Sequence, residues 1–107
     1  MISYEDFAKL EMRVGLVLSA ERVSGADKLL KLRVSIGEEE RTLAAGIGPS
    51  YSPEELVGKR IIVLANLEHR KIRGIESQGM LLAAGETADH VSVLTVDKEM
   101  EVGTRVY

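Results

Sequence analysis

The stretch Ser52-Pro53-Glu54-Glu55-Leu56-Val57-Gly58-Lys59-Arg60-Ile61-Ile62-Val63-Leu64-Ala65 joins a short helix signal directly to a continuous apolar strand. Ser52 can cap a helix, and Pro53 suits the first helical position because its missing N–H would have had no partner there. Glu54 and Glu55 complement the positive end of the helix dipole, and Gly58 supplies the stop. From Ile61 to Ala65 no polar residue alternates with the apolar ones, which marks a strand covered on both faces.

Strands dominate on either side of this unit. Upstream, Val14, Leu16, Leu18 and Ala20 alternate with other positions, and Leu30, Leu32, Val34 and Ile36 do so more clearly, predicting two strands with these residues on the inner face. Gly37-Glu38-Glu39-Glu40 reads as a hairpin connection, and Arg41 to Gly46 as a third strand of small residues. Downstream, Met80 to Ala84 and Val91 to Val96 read as further strands. Ser3 and Asp6 resemble a capping box opening a short N-terminal helix, with Phe7 and Leu10 on its apolar side. The fold expected is all-β: a five-stranded, partly open oligonucleotide-binding barrel, with short helices, one of them between the third and fourth strands.

The 107 residues suit a single domain covering 1–107, large enough to fold without a staple. Cysteine is absent, which removes disulfides, thiolate metal sites and thiol catalysis and suits a cytoplasmic protein. No signal peptide or span-length apolar run is visible, so a soluble chain with no membrane partner is expected. The net charge of −3 opposes indiscriminate coating of nucleic acid, so any such site must be local.

One segment supplies that site. His69-Arg70-Lys71-Ile72-Arg73 gathers three formal cations and a histidine between two strands, while acids cluster elsewhere, in Glu38-Glu39-Glu40, Glu54-Glu55 and Asp97 to Glu101. Arg70, Lys71 and Arg73 are therefore candidates to neutralise phosphates. Lys31 and Arg33 should point outward from the second strand near the same face, although ordinary solubilising charges are the commoner reading of such a pair, and Lys28 could also reach RNA, although Asp27 beside it supplies an internal partner. With no Trp, one Phe and three Tyr, the chain lacks a platform for stacking successive bases, which favours recognition of shape and phosphate. No catalytic residue, metal site or cofactor is expected. Ile75-Glu76-Ser77-Gln78-Gly79 lacks the first glycine of a nucleophile elbow, no phosphate-binding glycine loop is followed by Lys-Ser or Lys-Thr, and His69 and His90 are isolated.

The ordered motifs Tyr4-Glu5-Asp6-Phe7-Ala8-Lys9-Leu10, Arg13-Val14-Gly15, Ala26-Asp27-Lys28-Leu29, Gly46-Ile47, Ala65-Asn66-Leu67 and Lys71-Ile72-Arg73-Gly74-Ile75-Glu76-Ser77-Gln78-Gly79-Met80-Leu81-Leu82-Ala83-Ala84 resemble the tRNA-binding domain appended to methionyl-tRNA synthetases. The likeness spans nearly the whole chain, and the length resembles the free-standing beta, or accessory, subunit of archaea. It implies a non-catalytic tRNA-binding homodimer that raises the affinity of a synthetase chain for tRNA. Matched position by position, it implies tRNA contacts from Asn66, Arg70, Lys71, Arg73, Ser77 and Met80. The residues keep other readings open: Asn66 as a turn former, Ser77 as a turn hydroxyl, Met80 as core filler. Glu68-His69 departs from the family, which often places a proline there.

Dimerisation is expected through a C-terminal extension, Leu81 through Val106, in which Val91, Val93 and Leu94 offer surplus apolar surface. The alternative reading is a protein-binding scaffold, or an export-chaperone-like relative, that uses an apolar groove of the same fold for polypeptide.

Overall fold

A computed structural model describes all 107 residues. The chain runs α1 (Tyr4–Ala8), β1 (Met12–Val23), β2 (Ala26–Ser35), β3 (Glu40–Ala45), α2 (Pro53–Leu56), β4 (Arg60–Leu64), β5 (Arg70–Ile72), β6 (Ile75–Ser77), β7 (Met80–Leu81), β8 (Ala83–Thr87), β9 (His90–Val93) and β10 (Arg105–Val106). Five antiparallel strands in the order β3-β2-β1-β4-β7 form the barrel wall, and β10 adds to β1. With α2 between β3 and β4, this is the all-β, partly open oligonucleotide-binding barrel that the strand pattern predicts. Two hairpins, β5-β6 and β8-β9, stand apart from the main sheet.

The barrel closes at one end of β3 and stays open beside it. Gln78 donates its backbone N–H to the Thr42 carbonyl and accepts the Thr42 N–H on its side-chain oxygen, both at 2.8 Å. These reciprocal bonds tie β3 to the residue pair before β7. Farther along, residues 44–47 and 80–83 face each other across an apolar groove.

Inside, Val17, Leu30, Leu32, Val34, Leu43, Leu56, Ile61 and Val63 form the core of the barrel, each at most 1% exposed. Burying each large side chain contributes about 1.5–3 kcal/mol relative to exposure. Leu56 is the plug: α2 presents it to the core, and Ser52 caps that helix with its backbone N–H donating to the Glu55 carboxylate at 3.2 Å. A second cluster, Met12, Val14, Ile62 and Leu64, lies on the outer face of β1 and β4 and is covered by Phe7, Leu82, Val96 and Val106. Both faces of β4 are thus covered, which is why Ile61 to Ala65 shows no alternation.

β1 departs from the expected pattern. Its inner face is Gly15, Val17 and then Ala20; Val14 belongs to the outer cluster, and Leu18 is 39% exposed. A register shift between Val17 and Ser19 against β2 inserts one residue and changes the phase, so a single alternating set cannot describe the strand. Gly15 is required at its position, because a Cβ there would lie 2.8 Å from Val34 Cγ1 and 3.0 Å from Val63 Cγ2. Residues 26–29 form the start of β2, and residues 80–84 divide between β7 and β8.

Val91 and Val93 are half-buried against the barrel core, and the Val93 N–H donates to the Tyr51 hydroxyl at 3.0 Å. They are therefore part of this chain's own packing, contrary to the expectation of surplus apolar surface; of the three residues, Leu94 alone is exposed. No helix is long and apolar enough to cross a membrane.

Candidate nucleic-acid interface

The basic segment is a β-hairpin rather than a loop. β5 pairs with β6 in the register Arg70↔Ser77, Lys71↔Glu76 and Ile72↔Ile75, leaving Arg73 and Gly74 as a two-residue turn. Both turn residues have positive φ, 50° and 81°, as a turn matching the twist of the strands requires. Gly74 adopts this freely, whereas Arg73 is the one non-glycine residue with positive φ in the chain. The strain places a guanidinium at the tip.

Alternation divides the hairpin into two faces. Arg70, Ile72, Ile75 and Ser77 share one, and Lys71 and Glu76 the other. Ile72 and Ile75 are half-buried and Ser77 is 5% exposed, while Arg70, Lys71 and Arg73 are exposed and have neither an ion pair nor a side-chain hydrogen bond within the protein. Several other cations are engaged, Arg13 with Glu11, Lys31 with Glu21, Arg33 with Glu40 and Arg41 with Glu39, whereas Lys28, Lys59, Lys98 and Arg105 are also unpaired but do not adjoin one another in sequence as the hairpin cations do. Arg22 and Arg60 donate to main-chain carbonyls.

Polar side chains fix the base of the hairpin. Arg41 Nη1 donates to the carbonyls of Ala65 and Gln78, both at 2.8 Å, and so clamps the chain just before and just after the basic segment. Ser77 Oγ accepts the Ala44 N–H at 3.0 Å and donates to the Gly79 carbonyl at 3.1 Å, which joins β6 to β3. Asn66 Oδ1 accepts the Glu11 N–H at 2.8 Å and Nδ2 donates to the Lys9 carbonyl at 2.6 Å, binding the start of the segment to the chain between α1 and β1. Ser77 is thus corrected from a contact residue to a buried strut, and the Asn66 amide likewise serves the fold. Met80 keeps 45% of its surface exposed and remains available to a ligand.

Lys31 and Arg33 do point outward from β2. Together with Thr42, Gly74, Ile75, Glu76 and Gln78 they line a groove of about 310 Å³ beside the hairpin. Arg33 Nη1 also donates to Thr42 Oγ1 at 2.8 Å. Such exposed pairs contribute roughly 0–1 kcal/mol, so a phosphate can replace the carboxylates at little cost. Lys28 lines neither groove flanking the hairpin; it faces Asp89 at the tip of β8-β9. The Asp89 carboxyl lies below its ordinary range, chiefly through the hydrogen bond from the Thr87 hydroxyl, helped by its own backbone and the Lys28 charge. The largest groove, about 560 Å³, is lined by Glu11, Glu38, Glu39 and Glu101 as well as Arg13 and Arg41, and its acids disfavour phosphate. No three His, Asp, Glu or Cys side chains converge as metal ligands, and His69 Nδ1 lies 3.1 Å from Glu76 Oε1.

That Arg41 and Gln78 fix the base of the hairpin was not legible in the sequence. Their importance lies in partners 24 to 37 residues away in sequence, and no local spacing signals such contacts.

Residues 12–105 match the family model described as "Putative tRNA binding domain". A methionine–tRNA ligase of Caldanaerobacter subterraneus is 52% identical over 105 residues, covering 98% of this chain; the chain spans only 16% of that relative's length. Among solved structures, a MetRS related protein from Pyrococcus horikoshii superposes with a TM-score of 0.93 at 43% identity, covering 100% of this chain and 98% of the other. The chaperone CsaA from Bacillus anthracis superposes with a TM-score of 0.92 at 29% identity, covering 100% and 99%.

Proposed function

The chain belongs to the tRNA-binding domain family, and from that premise we propose that it holds folded tRNA by its sugar-phosphate surface through the β5-β6 hairpin, as a non-catalytic accessory to methionyl-tRNA synthetase. One observation carries the reading: Arg70, Lys71 and Arg73 project from a hairpin with no partner inside the protein, on a chain that is otherwise acidic. No ion pair within the protein has to be broken when they meet phosphate, so the counterions released from RNA appear as net affinity. Lys31 and Arg33 extend the cationic surface once their exposed carboxylate partners are displaced. Met80 adds an apolar contact, and Asn66 and Ser77 act by positioning the hairpin. The role is to raise affinity and residence time, by tethering tRNA near a catalytic chain.

A homodimer fits this role, because two hairpins on one body can engage one tRNA. The surface favoured for it is the outer cluster rather than Val91 and Val93. There Tyr4 lies 6.3 Å from Phe7 between ring centroids, is itself 79% exposed, and continues the apolar cover of Met12, Val14, Ile62 and Leu64 outward.

The test is a titration with unfractionated tRNA at two salt concentrations, with the triple substitution Arg70→Ala, Lys71→Ala, Arg73→Ala as comparison. The wild type is expected to bind, and its affinity to fall by about 0.7–0.9 log units per log unit of salt for each phosphate neutralised; the triple variant should lose about 2–3 units of that slope. An unchanged slope would remove the hairpin from the interface. Sedimentation of the same samples reads assembly, where Tyr4→Asp should yield the lighter species; no change in mass would discard the proposed dimer surface.

Likeness to a chaperone supports a second reading, in which the apolar groove between β3 and β7 takes polypeptide. Binding of that kind would weaken little with salt.

A further inference from the structure

Two grooves meet at Met80. One, of about 150 Å³, runs along the barrel-facing side of the hairpin and is lined by Ala44, Leu67, Glu68, Arg70, Ile72, Ser77, Gly79 and Met80. The other, of about 340 Å³, is the open seam of the barrel, between Ala44 to Ile47 on one side and Met80 to Ala83 on the other. Ala44 and Met80 line both, so the two form one track. At one end stands the unpaired Arg70 guanidinium, with the Glu68 carboxylate on the same wall; the other end has seven apolar residues and Gly46, and no charge at all.

Resting on the tRNA reading above, we propose that this track holds one unpaired nucleotide, its phosphate against Arg70 and its base in the seam, with the Met80 thioether between them. The chemistry of the two ends matches the two halves of a nucleotide. An anion needs a donor with no other partner, and Arg70 is one; a base needs an apolar slot in which no carboxylate repels the neighbouring phosphates, and the seam is such a slot. Its volume lies at the low end of sites that enclose small ligands, enough for one base and too little for a stack. Unbranched, polarizable Met80 can adapt to any base, so the slot distinguishes unpaired from paired nucleotides rather than one base from another. The seam stays open past Ala44 because the bonds that join β3 to the chain before β7 run from Arg41, Thr42 and Ala44 to Ser77 and Gln78, and Ser77 takes the Ala44 N–H that would otherwise seek a strand partner. A continuous duplex would reach the hairpin cations and leave the slot empty.

The experiment uses the whole chain and two single-stranded RNAs of about eight nucleotides, within the span of one oligonucleotide-binding barrel. One strand carries natural bases; the other has the same sugar-phosphate chain and no bases. The natural strand should bind about fivefold tighter, the low end for base-holding surfaces. Ala83→Leu, at an exposed groove position, should bring that ratio to about one while leaving the affinity for the baseless strand as it was. Met80→Ala should lower the ratio from the opposite wall, and the thermal transitions of both variants check that they fold. Equal binding of the two strands by the wild type would overturn the slot and leave the tRNA reading standing, whereas failure to bind tRNA itself at low salt would remove the reading beneath it. Binding of an uncharged apolar peptide that Ala83→Leu abolishes, with the two strands indistinguishable, would assign the seam to polypeptide and overturn the proposal.

Discussion

β4 and the β5-β6 hairpin are consecutive in sequence and opposite in construction. β4 is held by apolar burial on two faces, inside by the barrel core and outside where its Ile62 and Leu64 cluster with Met12 and Val14 under Phe7, Leu82, Val96 and Val106, so its position is overdetermined. The hairpin projects from the sheet and depends on a few polar struts: Arg41 at its two ends, Ser77 on β3, Asn66 at its start. On the proposed reading, stability and function are thus separated along fewer than 20 residues of chain, from Arg60 to Ser77. The charges proposed to meet tRNA lie outside the barrel core, where solvent lowers the cost of leaving them unpaired.

Substitutions can break this separation. The largest effect is expected from Leu56→Ala, which removes the fully buried plug and should cost about 2–5 kcal/mol in chemical denaturation. The folded fraction should still bind tRNA with the wild-type salt slope. A changed slope would mean that the core and the hairpin are coupled more tightly than their packing implies. Next is Arg41→Met, which keeps the aliphatic stem and strips the Ala65 and Gln78 carbonyls of their donor. It should lower stability by about 1–3 kcal/mol and weaken tRNA binding severalfold, with no loss of slope, because Arg41 positions the hairpin and touches no phosphate. Loss of about one unit of slope would instead make it a contact residue. The smallest effect should come from Arg73→Gly, which relieves the left-handed backbone and removes one cation: stability should rise by up to about 1 kcal/mol, and the slope should fall by about 0.7–0.9. Lower stability would show that the Arg73 side chain packs on the hairpin.

What was legible in the chain follows the same division. The apolar runs at Leu30 to Ile36 and Ile61 to Ala65, and the capped turn at Ser52, were readable because burial and helix capping leave local, periodic marks. β1 was not readable, because a bulge at Leu18 breaks the period within one strand: Val14 lies in the outer cluster, whereas Ala20, which an unbroken alternation would put on the same face, packs against the barrel core. Val91 and Val93 looked like surplus surface for the same kind of reason: the core they serve is assembled from residues distant in sequence.

The basic segment lies between. Its charge is a property of composition, visible at once in an acidic chain. That Ser77 is a buried strut, that Asn66 binds the segment to Glu11 and Lys9, and that Lys28 lines neither groove beside the hairpin are properties of contacts. By itself, then, the sequence determined the strands with a clean period, the capped helix between the third and fourth of them, and the location of unpaired positive charge, because each depends on neighbours a few residues apart. Tertiary structure alone decided which polar residues are free to meet a ligand, since a hydrogen bond from Arg41 to Gln78 exists only once β3 and the base of the hairpin have been brought together.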